Sequence, residues 1–493
     1  MLALISLYVC FYLFRVASSS TLTAPPLSAL IVAFESVYDL SLLANTLSDQ
    51  GIYATLIIPS HAANELYNNL IDVEVLQLNV DIDKSSVSAD TRALEACNSL
   101  FRDEEIFKKI QEFQPTFTIF PALRHDGCLL PFVKYIESIP VIWIMHPDEE
   151  LYAFECTKVA LPIHSGGFWS RLSKSFAGRS IFSAAKNGYL TPALKLATKY
   201  LSDVNFDLDH LYSDVRLVLW GADTVLRSNF AFLTQLLVEV GCHHCRGAHP
   251  LPGDLQKLLI EHRLGTIVAL LDENYETLIR ELAKKLPQGR EGQAIVWRIN
   301  KNDTNVAMPE NLFIRENIDR QDLIGYSRTR VVLSHCADTE FLEAAFHRTP
   351  VICLPRDTHE SRNTVRAVEL GFARSMKDNY ASAGETANIV HEMHETTAYR
   401  ESARKVSLAI RDRLNPASDR LVYWLGYIAR TKDDDRKFHR PKSQARTLTE
   451  DIQFFIGLLV GVIFGIVCTG SAVVMRYLIT ANKVQKSKGR YTR

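Results

Sequence analysis

Apolar residues in this chain come in short blocks separated by amphipathic stretches, and the alternation of the two predicts an architecture. Leu27-Ser28-Ala29-Leu30-Ile31-Val32-Ala33-Phe34 reads as a buried strand. Leu40, Leu42, Leu43 and Leu47 follow at helical spacing up to Gly51, and Ala54-Thr55-Leu56-Ile57-Ile58-Pro59 is a second strand. Strand, helix and strand in that order imply a right-handed crossover in a parallel sheet. The alternation returns at Phe117 to Phe120, Leu129 to Ile136 and Pro140 to Ile144. It starts again at Thr266 to Leu271, Tyr275 to Leu286 and Ala294 to Trp297. Two doubly wound α/β domains are expected, 20–235 and 236–440, with a ligand cleft between them.

Both ends of the chain carry longer apolar runs. The first fourteen residues are apolar except for one Ser, and Ala17-Ser18-Ser19 offers small residues where a signal peptidase cuts, so residues 1–19 read as a signal peptide. Arg15, between the apolar run and that site, leaves an uncleaved signal anchor as the alternative. After a stem at 441–451, the 24 residues from Ile452 to Met475 carry no charged side chain, enough to cross a hydrocarbon core about 30 Å thick. Arg476, Lys483, Lys486, Lys488, Arg490 and Arg493 follow without an acidic residue, which places the tail 476–493 in the cytosol and the bulk of the chain in a lumen. Gly457, Gly461 and Gly465 share a helix face that would admit a second helix, although glycine is common in membrane spans.

A net charge of -1 with no single-sign block outside the tail excludes a nucleic-acid partner. Nine cysteines leave seven once Cys10 in the leader and Cys468 in the span are set aside, an odd and sparse set that does not read as a disulfide framework. Cys242-His243-His244-Cys245 with His249 has zinc-ligand chemistry but lacks a second ligand pair at the usual distance, so no metal is expected. Asn302-Asp303-Thr304 is a glycosylation sequon, plausible on a lumenal surface or a chance match.

Leu323-Ile324-Gly325, Arg328-Thr329-Arg330-Val331-Val332-Leu333-Ser334-His335, Glu343-Ala344-Ala345 and Pro350-Val351-Ile352-Cys353-Leu354-Pro355 together resemble the signature of the UDP-glycosyltransferase family. Val238-Glu239-Val240-Gly241-Cys242 leading to Pro250-Leu251-Pro252 resembles the family's interdomain linker. Pro416, Asp419, Arg420, Trp424 and Arg430 match its closing helix. The resemblance implies a GT-B architecture, a UDP-sugar co-substrate on the second domain, a lipophilic small-molecule acceptor on the first, and no cofactor. It also implies an endoplasmic reticulum membrane location, type I and single-pass, and leaves room for homo- or hetero-oligomers with related transferases.

The same resemblance assigns roles to residues. His335 stands at the diphosphate position and Glu343 at the ribose hydroxyls. The base-stacking aromatic is replaced by Asn317, the Gln beside it by Arg320, two glycines by Cys336 and Ala337, and a diphosphate Ser by Glu340. The sugar-binding Asp-Gln pair is His359-Glu360, with Asn363 after it. A carboxylate facing a phosphate repels it by about 4 kcal/mol at ~4 Å and an effective dielectric near ~20. Asp272-Glu273 adds two acids at the same mouth, and pairing of these acids with Arg320 or Arg356 is the alternative. On the first domain the family's His base falls at Ser36 or Val37 and its supporting Asp near Phe120-Pro121, so neither is present. Glu35 and Asp39 are the remaining base candidates, with His125-Asp126 as parts of a rebuilt dyad. Two readings follow: a membrane-anchored transferase of hexose or glucuronic acid, and a catalytically inactive binding or scaffold protein that partners an active relative.

Overall fold

The computed structural model describes residues 26–80, 88–145, 180, 182–201, 206–227, 237–299, 308–377, 382–431 and 448–488. The leader, the Asn302 sequon, Cys156 and the last five residues of the tail lie outside them. Strands β1 (Ser28–Val32), β2 (Tyr53–Pro59), β3 (Val73–Leu78), β4 (Phe117–Pro121), β5 (Ile139–Ile144), β6 (Leu217–Trp220) and β7 (Leu237–Glu239) form one parallel sheet in the order β3-β2-β1-β4-β5-β6-β7. A second parallel sheet has the order β10-β9-β8-β11-β12-β13. Its strands are β8 (Thr266–Ala269), β9 (Ala294–Arg298), β10 (Leu312–Arg315), β11 (Thr329–Ser334), β12 (Val351–Cys353) and β13 (Ala373–Ser375).

The predicted strands and crossover helices are all present, because each is a continuous apolar run or a one-faced amphipathic stretch. Helices Val37–Asp49, Asp126–Tyr135 and Glu276–Lys285 lie where the pattern puts them. Buried on both faces, the sheets take nearly uninterrupted apolar sequence, and Trp143, Trp220 and Trp297 sit within the cores. Polar side chains set several helix starts: Ser88 accepts from the Thr91 amide, Asp103 from Ile106, and Asp357 from both His359 and Glu360.

The first sheet runs a few residues past the expected boundary between residues 235 and 236. β7 pairs with β6 in register Val218↔Leu237, so the first sheet runs on to Glu239 and the crossing to the second domain follows it. The chain then returns. Helix Ala417–Arg430 packs on β6 and β7, with Arg420 Nε donating to the Glu239 carbonyl at 3.1 Å. After it, the long helix Leu448–Lys488 contains a stretch, Phe455–Thr480, apolar and long enough to cross a membrane, which overlaps the expected 452–475.

The cysteines correct the sequence reading. Among the described residues three disulfides join Cys97 to Cys128, Cys242 to Cys245 and Cys336 to Cys353. The first links helix Ala89–Arg102 to helix Asp126–Tyr135, and the third links the end of β11 to its neighbour β12. Spacing along the chain hides such pairs because the partners meet only once the sheet is assembled. With its two sulfurs bonded to each other, the Cys242–Cys245 turn offers no thiolate to zinc.

Candidate functional site

In the second sheet the order reverses between β8 and β11, and the crevice beyond their carboxyl ends is where a doubly wound sheet binds ligands. His335 lies there, immediately after β11. Its ring is buried, with Nδ1 2.8 Å from the Leu354 carbonyl oxygen, so Nδ1–H donates and Nε2 carries the lone pair. Burial pushes the His335 pKa down, which keeps the ring neutral. Nε2 has no hydrogen bond and stands 3.8 Å from Asp272 Oδ2, at the end of β8. Cys336 follows at φ 61°, a left-handed conformation that favours glycine, and its disulfide to Cys353 holds it there.

Below this crevice is a buried ion-pair network. Helix Arg320–Ile324, capped by Asp319, points the Arg320 guanidinium at Glu343 on helix Asp338–Phe346. Nε donates to Oε2 at 2.5 Å and Nη2 to Oε1 at 2.9 Å, a two-pronged fork with both side chains at or below 9 % exposure. His244 Nε2, from the linker turn, approaches Glu343 Oε1 at 3.2 Å. Burial resists ionisation of Glu343, but Arg320 and His244 overcome it and hold the carboxyl at about 2. One turn away, Glu340 Oε1 lies 3.7 Å from Arg320 Nη1 while its Oε2 is buried without a partner. Burial wins there, pushing Glu340 up to about 7 despite the opposing Arg320 charge.

The remaining predicted donor-site residues also bond within the protein. Arg356 donates from its backbone to Glu360 Oε2 at 2.7 Å, from Nη2 to Oε1 at 2.7 Å, and from Nη1 to Asp272 at 3.2 Å. Asn363 donates to the Cys336 carbonyl and to Asp338, each at 3.0 Å. His359 takes part in helix capping through its amide. Asn317 is exposed.

Across the cleft the first domain presents helix Val37–Asp49. Tyr38 lies under Arg320, the guanidinium carbon 4.7 Å from the ring centroid, and burial pushes its phenol pKa up. Asp39 accepts a hydrogen bond from Thr339, and Tyr67 donates to Asp319. Ser36 adopts φ 54° and Val37 is buried, so neither offers a basic group. Glu35 pairs with Arg124 at 3.2 Å. Asp126 accepts from Tyr212 at 2.7 Å rather than from His125, whose buried ring packs edge-on against Phe34.

The model of the UDP-glucoronosyl and UDP-glucosyl transferase family matches residues 61–487 of this chain. The chain belongs to the UDP-glycosyltransferase family. Human UDP-glucuronosyltransferase 2B7 is 25% identical over 259 residues, covering 50% of this chain and 46% of that protein. UDP-glucosyltransferase 2 of Dactylopius coccus is 23% identical over 300 residues, 59% and 55% of the two chains. The chain thus spans about half the length of these relatives. Among solved structures, a UDP-glucosyltransferase from Polygonum tinctorium superposes with a TM-score of 0.56 at 16% identity, covering 83% of this chain and 99% of that one. The calicheamicin glycosyltransferase CalG4 gives 0.52 at 15%, covering 82% and 99%. The fold is GT-B.

Of the residues to which the family resemblance assigns roles, the structure brings His335, Glu340, Glu343, Arg320 and Glu360 together at one crevice. Sequence reasoning missed His244, Arg356 as a partner of Glu360, and Tyr38. The basic residues offered some signal, since Glu340, Asp272 and Glu360 each have an arginine to meet.

Proposed function

We propose that this family member is a lumenal protein of the endoplasmic reticulum, held by its C-terminal helix, in which the donor crevice is filled by the protein's own ion pairs. On this reading glycosyl transfer from an ordinary UDP-sugar is not its main activity. It acts instead as a binding or scaffold protein, associating with active relatives and offering a cleft to lipophilic small molecules. The observation that carries the reading is the Arg320 fork on Glu343. The carboxylate that would take two ribose hydroxyls already accepts from a guanidinium, and a ligand would have to displace a charge-assisted pair with neutral donors. His335, neutral with a buried and unpartnered lone pair on Nε2, offers an acceptor where a phosphate needs a donor. No basic group stands at the family's His position to take a proton from an acceptor hydroxyl. A second reading, a working transferase, is supported by the retention of His335 and Glu343 themselves.

Calorimetric titration of UDP, UDP-glucose and UDP-glucuronic acid into the detergent-solubilised full chain tests this, with Glu340→Ser alongside. The expected result is no binding at millimolar nucleotide, with partial recovery in the variant. Micromolar binding by the unaltered chain would make the transferase reading the correct one.

A further inference from the structure

At the opposite end of the second sheet, where β8 and β11 begin, a cluster of cations gathers outside the donor crevice. Arg328 and Arg330 lie at the start of β11, while His394 and Arg400 come from helices Ala383–Glu395 and Thr397–Arg411. Gly265 enters β8 at φ +90°, and a Cβ there would fall 2.8 Å from Arg330 Cγ and 2.9 Å from Nε, so the glycine makes room for the arginine stem. Arg328 Nη2 donates to the His262 carbonyl at 2.8 Å and Arg400 Nη2 to the His394 carbonyl at 3.0 Å, which fixes both heads. The Nε atoms of Arg328 and Arg330 are buried without a hydrogen-bond partner. The Arg330 side chain makes no hydrogen bond or ion pair among the described residues.

Nearby carboxylates are engaged elsewhere: Glu392 with Arg374 at 3.3 Å and Tyr399 at 2.6 Å, Glu395 with His391 at 3.3 Å. Burial, then the charges of Arg400 and Arg328, depresses the Arg330 pKa. Burial, then Arg400 and Arg330, depresses that of His394. In a chain of net charge -1, this is a local accumulation of like charge that the composition does not require. Planar guanidinium forks match the oxygens of a phosphate, and an anion among three of them relieves their repulsion.

We propose that Arg328, Arg330 and Arg400 form a binding site for a compact phosphate-bearing anion, on the face of the second domain remote from the donor crevice. The phosphate comes either from a soluble monoester or from a phospholipid headgroup. Melting of the detergent-solubilised full chain is followed against inorganic phosphate at constant ionic strength, with sodium chloride as balance. The lipid source is tested in nanodiscs of phosphatidylcholine with and without phosphatidic acid. Phosphate at about 100-fold over its Kd raises Tm by about 3 °C in the parent chain. Arg330→Gln melts higher than the parent in chloride alone, having lost the repulsion, and gains less than a third as much from phosphate. Arg400→Gln shows the same reduced gain, and Glu340→Ser keeps the full gain. A phosphatidic-acid effect without a free-phosphate effect assigns the headgroup, and the reverse assigns the soluble ester. No gain over chloride in either arm, an equal gain in Arg330→Gln, or a gain abolished by Glu340→Ser overturns the site.

Discussion

Replacing Arg320 by Gln removes the positive charge facing Glu343 and leaves a carboxylate buried at 1 % side-chain exposure with His244 as its remaining close neighbour. Removing one partner of a buried pair costs about 3–5 kcal/mol, because the other charge is left uncompensated. A second route gives a similar size: a carboxyl held at about 2 against an ordinary 4.5 corresponds to roughly 3 kcal/mol. That contribution has a defined pH window. A depressed folded-state pKa stabilises the protein fully above about pH 5, and the effect is lost as pH falls through 4.5 towards 2. Urea unfolding, read from tryptophan fluorescence at pH 7.4 and at pH 3.5, therefore separates the parent from Arg320→Gln most at neutral pH and least in acid. Arg320→Met combined with Glu343→Leu, which removes both charges, recovers most of the loss. A loss below about 1 kcal/mol in Arg320→Gln at pH 7.4, or a double variant no better than the single, would refute the claim that this pair is a desolvated lock.

Glu340 predicts the opposite pH behaviour. Its folded-state pKa is raised to about 7, so burial of its charge destabilises the protein increasingly as pH climbs from 4.5 through 7, and the penalty is fully present above that range. Glu340→Gln is accordingly expected to be more stable than the parent by about 1–3 kcal/mol at pH 8 and equal to it near pH 4, in urea titrations at the two pH values. Replacing Cys97 and Cys128 together by Ala opens a loop of sequence separation 31 and is expected to cost about 3–4 kcal/mol, whereas the same change at Cys242 and Cys245, separation 3, costs about 2 kcal/mol or less. Denaturation midpoints of the two pairs compared with the parent decide between these values.

The sheets were legible because their strands are buried on both faces and read as unbroken apolar runs, Thr266 to Leu271 and Phe117 to Phe120 among them. The last strand of the first sheet was not, since Leu237–Glu239 is three residues long and finds its place only by pairing with β6. At the site, the identities that depart from the family were visible in order along the chain, and so were Arg320 and Arg356 as partners for Glu340 and Asp272, but the fork on Glu343 was not. Arg320 and Glu343 are 23 residues apart, and His244 comes from a different domain edge altogether. Glu340 illustrates the limit: its residue type announces a negative charge, while its burial beside Arg320 makes it half neutral near pH 7. Periodicity records which face is inside and nothing about which polar groups meet there.

Because helix Ala417–Arg430 lies on β6 and β7, the covering layer of the first domain is encoded after the whole of the second. Arg413 adds to this by pairing with Asp223 and Glu239 of the first domain at 3.2 and 3.4 Å. A single cut between the domains would then strip one fragment of its wrapping and leave the other with an apolar helix and nothing to lay it on. Modular exchange with a relative has to carry two separate gene segments, and a ribosome must finish nearly the entire two-domain portion before the part it made first can close.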